Sequence, residues 1–197
     1  YWPISGTVNI LGYVEDSIMA YTSSFQATWN NASSIAFKSK FFAHNGIDLL
    51  VGGLINASPT NNSITFKHVL AKANFYAKAD RTDVIEVRTI YEDYGFAGAT
   101  ITCELIKNQQ DEPEIKITTS NPTNENGAIS TYSSGIIGTS YRKLNYIDCL
   151  LPEQTINELN INYTIKEGSS YKYFTLTKSI NQKFKAGYNY NFYLDFT

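Results

Sequence analysis

From Tyr188 to Phe196 the chain alternates without a slip: Tyr188, Tyr190, Phe192, Leu194 and Phe196 hold one phase, Asn189, Asn191, Tyr193 and Asp195 the other. Successive Cβ atoms of a strand point to opposite faces, so this pattern predicts a half-buried strand with its aromatic phase on a core. Lys185-Ala186-Gly187 reads as the turn into it. The strand is expected to close a sheet at the end of a β-domain.

Other segments carry the same period. Residues 7–14 predict a first strand, with a phase change near Gly12 that suggests a bulge. Residues 16–40 read as mostly loop with one short strand, and DLLVGG at 48–53 is a compact apolar run before the turn-rich 56–63. Residues 64–78 give the strongest internal strand, although Ile64 and Phe66 take one parity and Val69, Ala71, Ala73 and Phe75 the other. A kink at His68-Val69-Leu70 reconciles the halves; a helix over 69–79 is the competing reading. Further strands are predicted at 84–91, 100–106, 114–118, 144–151, 156–166 and 171–177, with a hairpin turn at Glu167-Gly168-Ser169-Ser170 and a long polar loop over 118–135. The charged break at 79–83 is the expected linker, dividing the chain into 1–82 and 83–197.

Composition fits strands joined by polar turns, because 15 Tyr and 11 Phe accompany 19 Asn. At 197 residues and 43% apolar content the chain can fill its cores without staples. Sixteen basic and 18 acidic residues, with no basic stripe, argue against a nucleic-acid partner. Cys103 and Cys149 each sit in an apolar, strand-like context and read as two separate buried thiols, with a disulfide as the alternative. Cys-x-x-Cys and Cys-x-x-His pairs are absent, and no metal or cofactor is expected.

The chemistry of catalysis is thin. The chain has no Gly-x-Ser-x-Gly, no phosphate-cradling glycine loop and no His-Glu-x-x-His. His68 with Asp48 and a serine is the one conceivable hydrolytic set, set against a histidine bonded to backbone at a strand kink. Asp111 and Glu112, before Pro113, read as acids of a solvated turn. No catalytic residue is expected, and the chain is read as a non-enzyme. Trp2, Trp29 and Tyr132 fall in predicted loops and could stack on a carbohydrate, but the aromatic run at 188–196 follows core parity and leaves few rings for a platform. The Asn-x-Ser/Thr sites at Asn31, Asn56, Asn61 and Asn162 carry little weight in so asparagine-rich a chain.

Five segments in order, Tyr1-Trp2-Pro3, Asp48-Leu49-Leu50-Val51, the strand from Ile64 to Lys72, Leu150-Leu151-Pro152-Glu153-Gln154 and the terminal strand from Phe184 to Tyr190, resemble the fimbrillin-like proteins of Bacteroides and relatives, pilins and accessory subunits of type V fimbriae. The resemblance implies tandem transthyretin-like (Greek key) antiparallel β-sandwiches. It also implies a structural or adhesive subunit at the cell surface that assembles with other fimbrial subunits by strand exchange. A host protein or glycan is a further candidate ligand, and the alternative function is a carbohydrate- or host-ligand-binding surface module, with an enzyme third. A precursor carrying a lipid anchor for the outer membrane is implied as well. Family members carry further residues before the Tyr1-Trp2-Pro3 segment, including early strands of the first sandwich; either these lie outside this sequence or the N-terminal sandwich is incomplete, and its edges at 7–14 and 64–78, with Phe66 or Phe75 in the groove, are the expected assembly surface.

Overall fold

The computed structural model describes residues 6–16, 26–39, 48–80, 84–96, 99–120, 126–129, 137–144, 149–167 and 169–196. Every regular element among them is a strand: β1 (Val8–Asp16), β2 (Gln26–Asn31), β3 (Ser34–Ser39), β4 (Asp48–Ala57), β5 (Phe66–His68), β6 (Ala71–Ala79), β7 (Val84–Phe96), β8 (Ala99–Lys107), β9 (Pro113–Ser120), β10 (Asn126–Ile129), β11 (Arg142–Lys143), β12 (Cys149–Leu151), β13 (Gln154–Glu167), β14 (Ser170–Phe184) and β15 (Asn189–Phe196). Two sheets run β1-β4-β5 and β2-β3-β8-β9, and a third runs β10-β7-β13-β14. In the fourth, β11 and β12 follow one another along one edge of β6 while β15 takes the other. All pairings are antiparallel except β15 on β6, which is parallel.

Two cores hold these sheets together. Ile35 and Phe37 of β3, Leu49 and Val51 of β4, and Ile101 and Cys103 of β8 fill the first, between the β1-β4-β5 and β2-β3-β8-β9 sheets. The second joins the other pair: Phe75 of β6, Leu159 and Ile161 of β13 and Phe184 of β14 are buried there, and the aromatic phase of β15 packs against them. The terminal alternation therefore does what it predicted from Tyr190 onward, whereas Tyr188, assigned to the same phase, precedes β15 and is exposed. Its polar phase faces out, as the exposed Asn189, Asn191, Tyr193 and Asp195 show.

The expected division at 82/83 does not follow these cores. Val69 and Leu70 belong to the first and Ala71 to the second, so the chain crosses between them inside the predicted 64–78 strand. It returns to the first core for β8 and β9, then completes the second. The charged break falls between β6 and β7, both members of the second sheet pair, and its residues 81–83 lie outside the described residues. The kink predicted at His68-Val69-Leu70 is this crossing point, and residues 71–79 form β6 in place of the competing helix.

Further expectations change. Residues 26–39 form a hairpin of two strands, β2 and β3; β2 has no alternation to read because five of its six residues are exposed. The irregularity of β1 lies between Val8 and Ile10, and Gly12 pairs in register with Gly52. The Phe66 ring lies over Gly12 and Gly52, within 3.9 Å of where a Cβ on Gly12 would stand, an ordinary contact, and within 3.1 Å at Gly52. Finally, β6 is no free edge and Phe75 lines no groove, since both sides of the strand are paired and the ring is fully buried. The residues predicted as the 118–135 loop contain β10, and 121–125 and 130–136 lie outside the described residues, as do Trp2 and Tyr132.

Cys103 and Cys149 are free, buried thiols, one in each core. Burial pushes the Cys103 thiol up to about 12. A raised value keeps the group protonated, so at pH 8 only about one molecule in ten thousand carries the thiolate. We expect Cys103 to resist iodoacetamide at pH 8 in the folded protein and to react within minutes in guanidinium, read by peptide mass mapping. Rapid labelling of Cys103 without denaturant contradicts this placement.

Candidate functional site

Parallel, in-register pairing of β6 with β15 decides the outer face of the fourth sheet. The odd residues of β6 and the even residues of β15 face the core, so their neighbours form matched pairs on the outside. Asn74 meets Asn191, with Asn74 Nδ2 donating to Asn191 Oδ1 at 3.1 Å. Tyr76 meets Tyr193, the rings stacked at 5.1 Å and 16°. Lys78 meets Asp195, Nζ to Oδ2 at 2.9 Å. The Asp195 hydrogen bond, aided by its charge, raises the Lys78 ammonium above the ordinary lysine value. Tyr141, just before β11, adds a third ring edge-on to Tyr193 at 5.1 Å, and Lys78 Nζ lies 5.3 Å from its centroid.

At the Lys72–Asn189 end the face runs into a cleft of about 220 Å³ where the two cores meet. Leu70 and Leu150 are its buried apolar lining, and Asp48, His68, Lys72, Tyr188 and Asn189 its polar and aromatic one. Gly187, at φ 77°, makes the turn that sets Tyr188 here: its N–H donates to Leu70 O at 2.9 Å, and Lys72 N–H donates to Tyr188 O at 2.9 Å. The expected partnership of His68 and Asp48 is present, Nδ1–H donating to Oδ1 at 2.9 Å, in place of a backbone bond. In the neutral ring that leaves Nε2 as an acceptor. No serine, threonine or cysteine lines the cleft among the described residues. The other acidic candidates serve a turn. Asn108 Oδ1 accepts the N–H groups of Gln110 and Glu112, and Asp111, at φ 64°, pairs with Lys107 at 2.7 Å.

Trp29 lies on β2 and not in a loop; it is half exposed and tilted against Tyr13 at 6.4 Å, on the other sandwich. The rings that do cluster, Tyr76, Tyr141 and Tyr193, were missed because their meeting depends on pairing two strands more than a hundred residues apart. The available signal was Tyr193 standing in the polar phase of the last strand.

A second surface is an edge. Among the described residues β14 pairs only with β13, and its first ten residues are all exposed. On the core side Phe174 stacks on Tyr163 at 5.5 Å, and Leu176 sits opposite Ile161; both remain substantially exposed at the rim. On the outer side Thr175 and Thr177 donate to Asn162 and Asn160 at 2.7 and 2.6 Å and fix the strand to β13.

Comparison with known proteins agrees with this architecture. A family model described as Fimbrillin-like matches residues 1–197. The crystal structure of a protein from Bacteroides uniformis ATCC 8492, described as a candidate cell adhesion protein, superimposes with a TM-score of 0.58 at 16% identity, covering 100% of this chain and 70% of that one. No curated protein matches.

Proposed function

The chain belongs to the fimbrillin-like family, and from that premise we propose that it is a structural or adhesive subunit of a cell-surface fimbrium, joined to neighbouring subunits by strand addition. Attachment to the outer membrane would come from the lipid anchor that the resemblance implies for the precursor. The observation that carries the assembly reading is the β14 edge. Natural sheets blunt long apolar edges because unpaired N–H and C=O groups recruit other chains. Among the described residues the exposed first ten positions of β14, Tyr171, Phe174 and Leu176 included, have a strand, β13, on one side. An extended segment of another subunit laid along the other side gains backbone hydrogen bonds and buries the Phe174–Leu176 rim together.

The test is assembly in cells that make the whole fimbrium. Leu176→Lys places a charge where the added strand must pack, on a side chain already 44% exposed, so the monomer keeps its fold. We expect polymer, scored by electron microscopy and by ladders on gels, to fall about tenfold or more, the equivalent of about 1.4 kcal/mol per contact. Val14→Lys, an exposed site on β1, tests the N-terminal edge of the sequence expectation and is expected to assemble normally. Normal polymer from Leu176→Lys with none from Val14→Lys moves the assembly surface to β1 and defeats the reading.

A further inference from the structure

We propose that the outer face of the β6–β15 sheet, with the cleft at its end, is a binding site for a neutral oligosaccharide chain. The inference does not rest on strand addition, since it concerns the folded monomer.

Three properties of the face select this ligand. The first is exposed aromatic surface. Tyr193 is 58% and Tyr188 61% exposed, and Tyr193 is held flat by its stack on Tyr76 and its edge contact with Tyr141. Rings locked this way offer apolar faces at small cost in side-chain entropy, and the C–H face of a pyranose is the complementary surface. The second is polar groups in fixed positions with bonding capacity left over. Asn74, buried, orients Asn191, whose own Nδ2 donors take no partner among the described residues. Asp48 bonds His68 through Oδ1 only, leaving Oδ2 to accept from a hydroxyl. The third is charge: Lys78 is answered by Asp195, and the remaining charges, Lys72 and Lys143 on the face and Asp48 in the cleft, are of both signs, so no field of one sign runs along the whole face. A phosphate backbone or an anionic lipid surface asks for the opposite.

The dimensions agree. From the Lys72–Asn189 pair to the Lys78–Asp195 pair the face runs six residue steps, about 20 Å at strand rise. That length takes a chain of several rings, not a single small molecule. The cleft, at about 220 Å³, falls below the range of about 300–1,000 Å³ typical of sites for drug-sized ligands. Its buried Leu70 and Leu150, exposed Tyr188 and adjacent carboxylate suit one terminal ring.

The experiment presents the monomer to an array of neutral gluco-, manno-, galacto- and N-acetylglucosamine-based oligosaccharides, beside sialylated and sulfated ones, and measures the best neutral binder by titration calorimetry. Expected results are binding to at least one neutral chain, a loss of about tenfold or more with Tyr193→Ala or Tyr188→Ala, retention with Tyr193→Phe, and no change with the remote Trp29→Ala. Thermal melts matching the unmodified protein show that the exposed tyrosines were removed without unfolding. No neutral binder on the array, binding confined to charged glycans, or Tyr193→Ala and Tyr188→Ala both binding as the unmodified protein does, overturns the proposal.

Discussion

Phe75→Ala is expected to lower the unfolding free energy by about 3–5 kcal/mol, a large part of the roughly 5–15 kcal/mol that holds a domain together. Phe75 is fully buried in the middle of β6. Its ring stacks on Phe192 at 5.1 Å and 17°, and Phe192 in turn meets Phe184 at 5.9 Å. Removing it takes away the transfer energy of a whole ring and leaves a void between two sheets whose backbones are tied by ladders on both sides of β6, so the walls cannot collapse inward. The surrounding β6 side chains are alanines, Ala71, Ala73, Ala77 and Ala79, which cannot swing over to fill the space. Urea denaturation checks this, and Phe75→Leu should recover a substantial part of the loss. A Phe75→Ala protein within about 1 kcal/mol of the original would place the ring outside a packed core.

Gly52→Val is expected to be comparably damaging for the opposite reason. A Cβ at Gly52 would stand 2.8 Å from Thr65 O, a backbone atom, and 2.8 Å from Ile64 Cγ2, with the Phe66 ring at 3.1 Å. Overpacking of this kind typically costs about 1–3 kcal/mol, and a β-branched residue adds methyls to a site that lacks room for the first carbon. Because Gly52 pairs with Phe66 on one side and Gly12 on the other, the relief available is to push β5 away from β4. We expect a lowered denaturation midpoint and faster amide exchange in β5, with Gly12→Ala much milder because its nearest contact is an ordinary 3.9 Å. Equal tolerance at the two glycines would show that the Phe66 ring does not lie across both.

Much of the fold was legible because burial in sheets writes itself as period two. The terminal alternation placed Tyr190, Phe192, Leu194 and Phe196 on a core, and the strand predicted at 156–166 contains the buried Leu159 and Ile161. The bulge where Ile156/Glu158 meets β14 lets Ile156 and Leu159 share the core side despite opposite parity, a break that pattern alone does not locate. The β2 strand was illegible for the complementary reason: nearly all of it is exposed, so neither phase is marked. His68 and Asp48 were legible as a pair of residue types, but that they bond to each other beside Leu70, Leu150 and Tyr188 is a fact of space.

The sequence by itself determined the class of this protein: local alternation, turn residues and five segments in family order sufficed for an all-β, fimbrillin-like chain. Each of those signals lies within a few residues of itself, and a strand's two faces are set by its own covalent geometry. Tertiary structure alone decided which strands share a core, that the chain crosses from one sheet pair to the other between β5 and β6, and that β15 lies parallel to β6. Those outcomes depend on pairing between segments far apart in the chain, where many registers satisfy the same local pattern and only the packing of whole sheets selects one. The Tyr76–Tyr193 stack and the Asn74–Asn191 bond exist because of that selection.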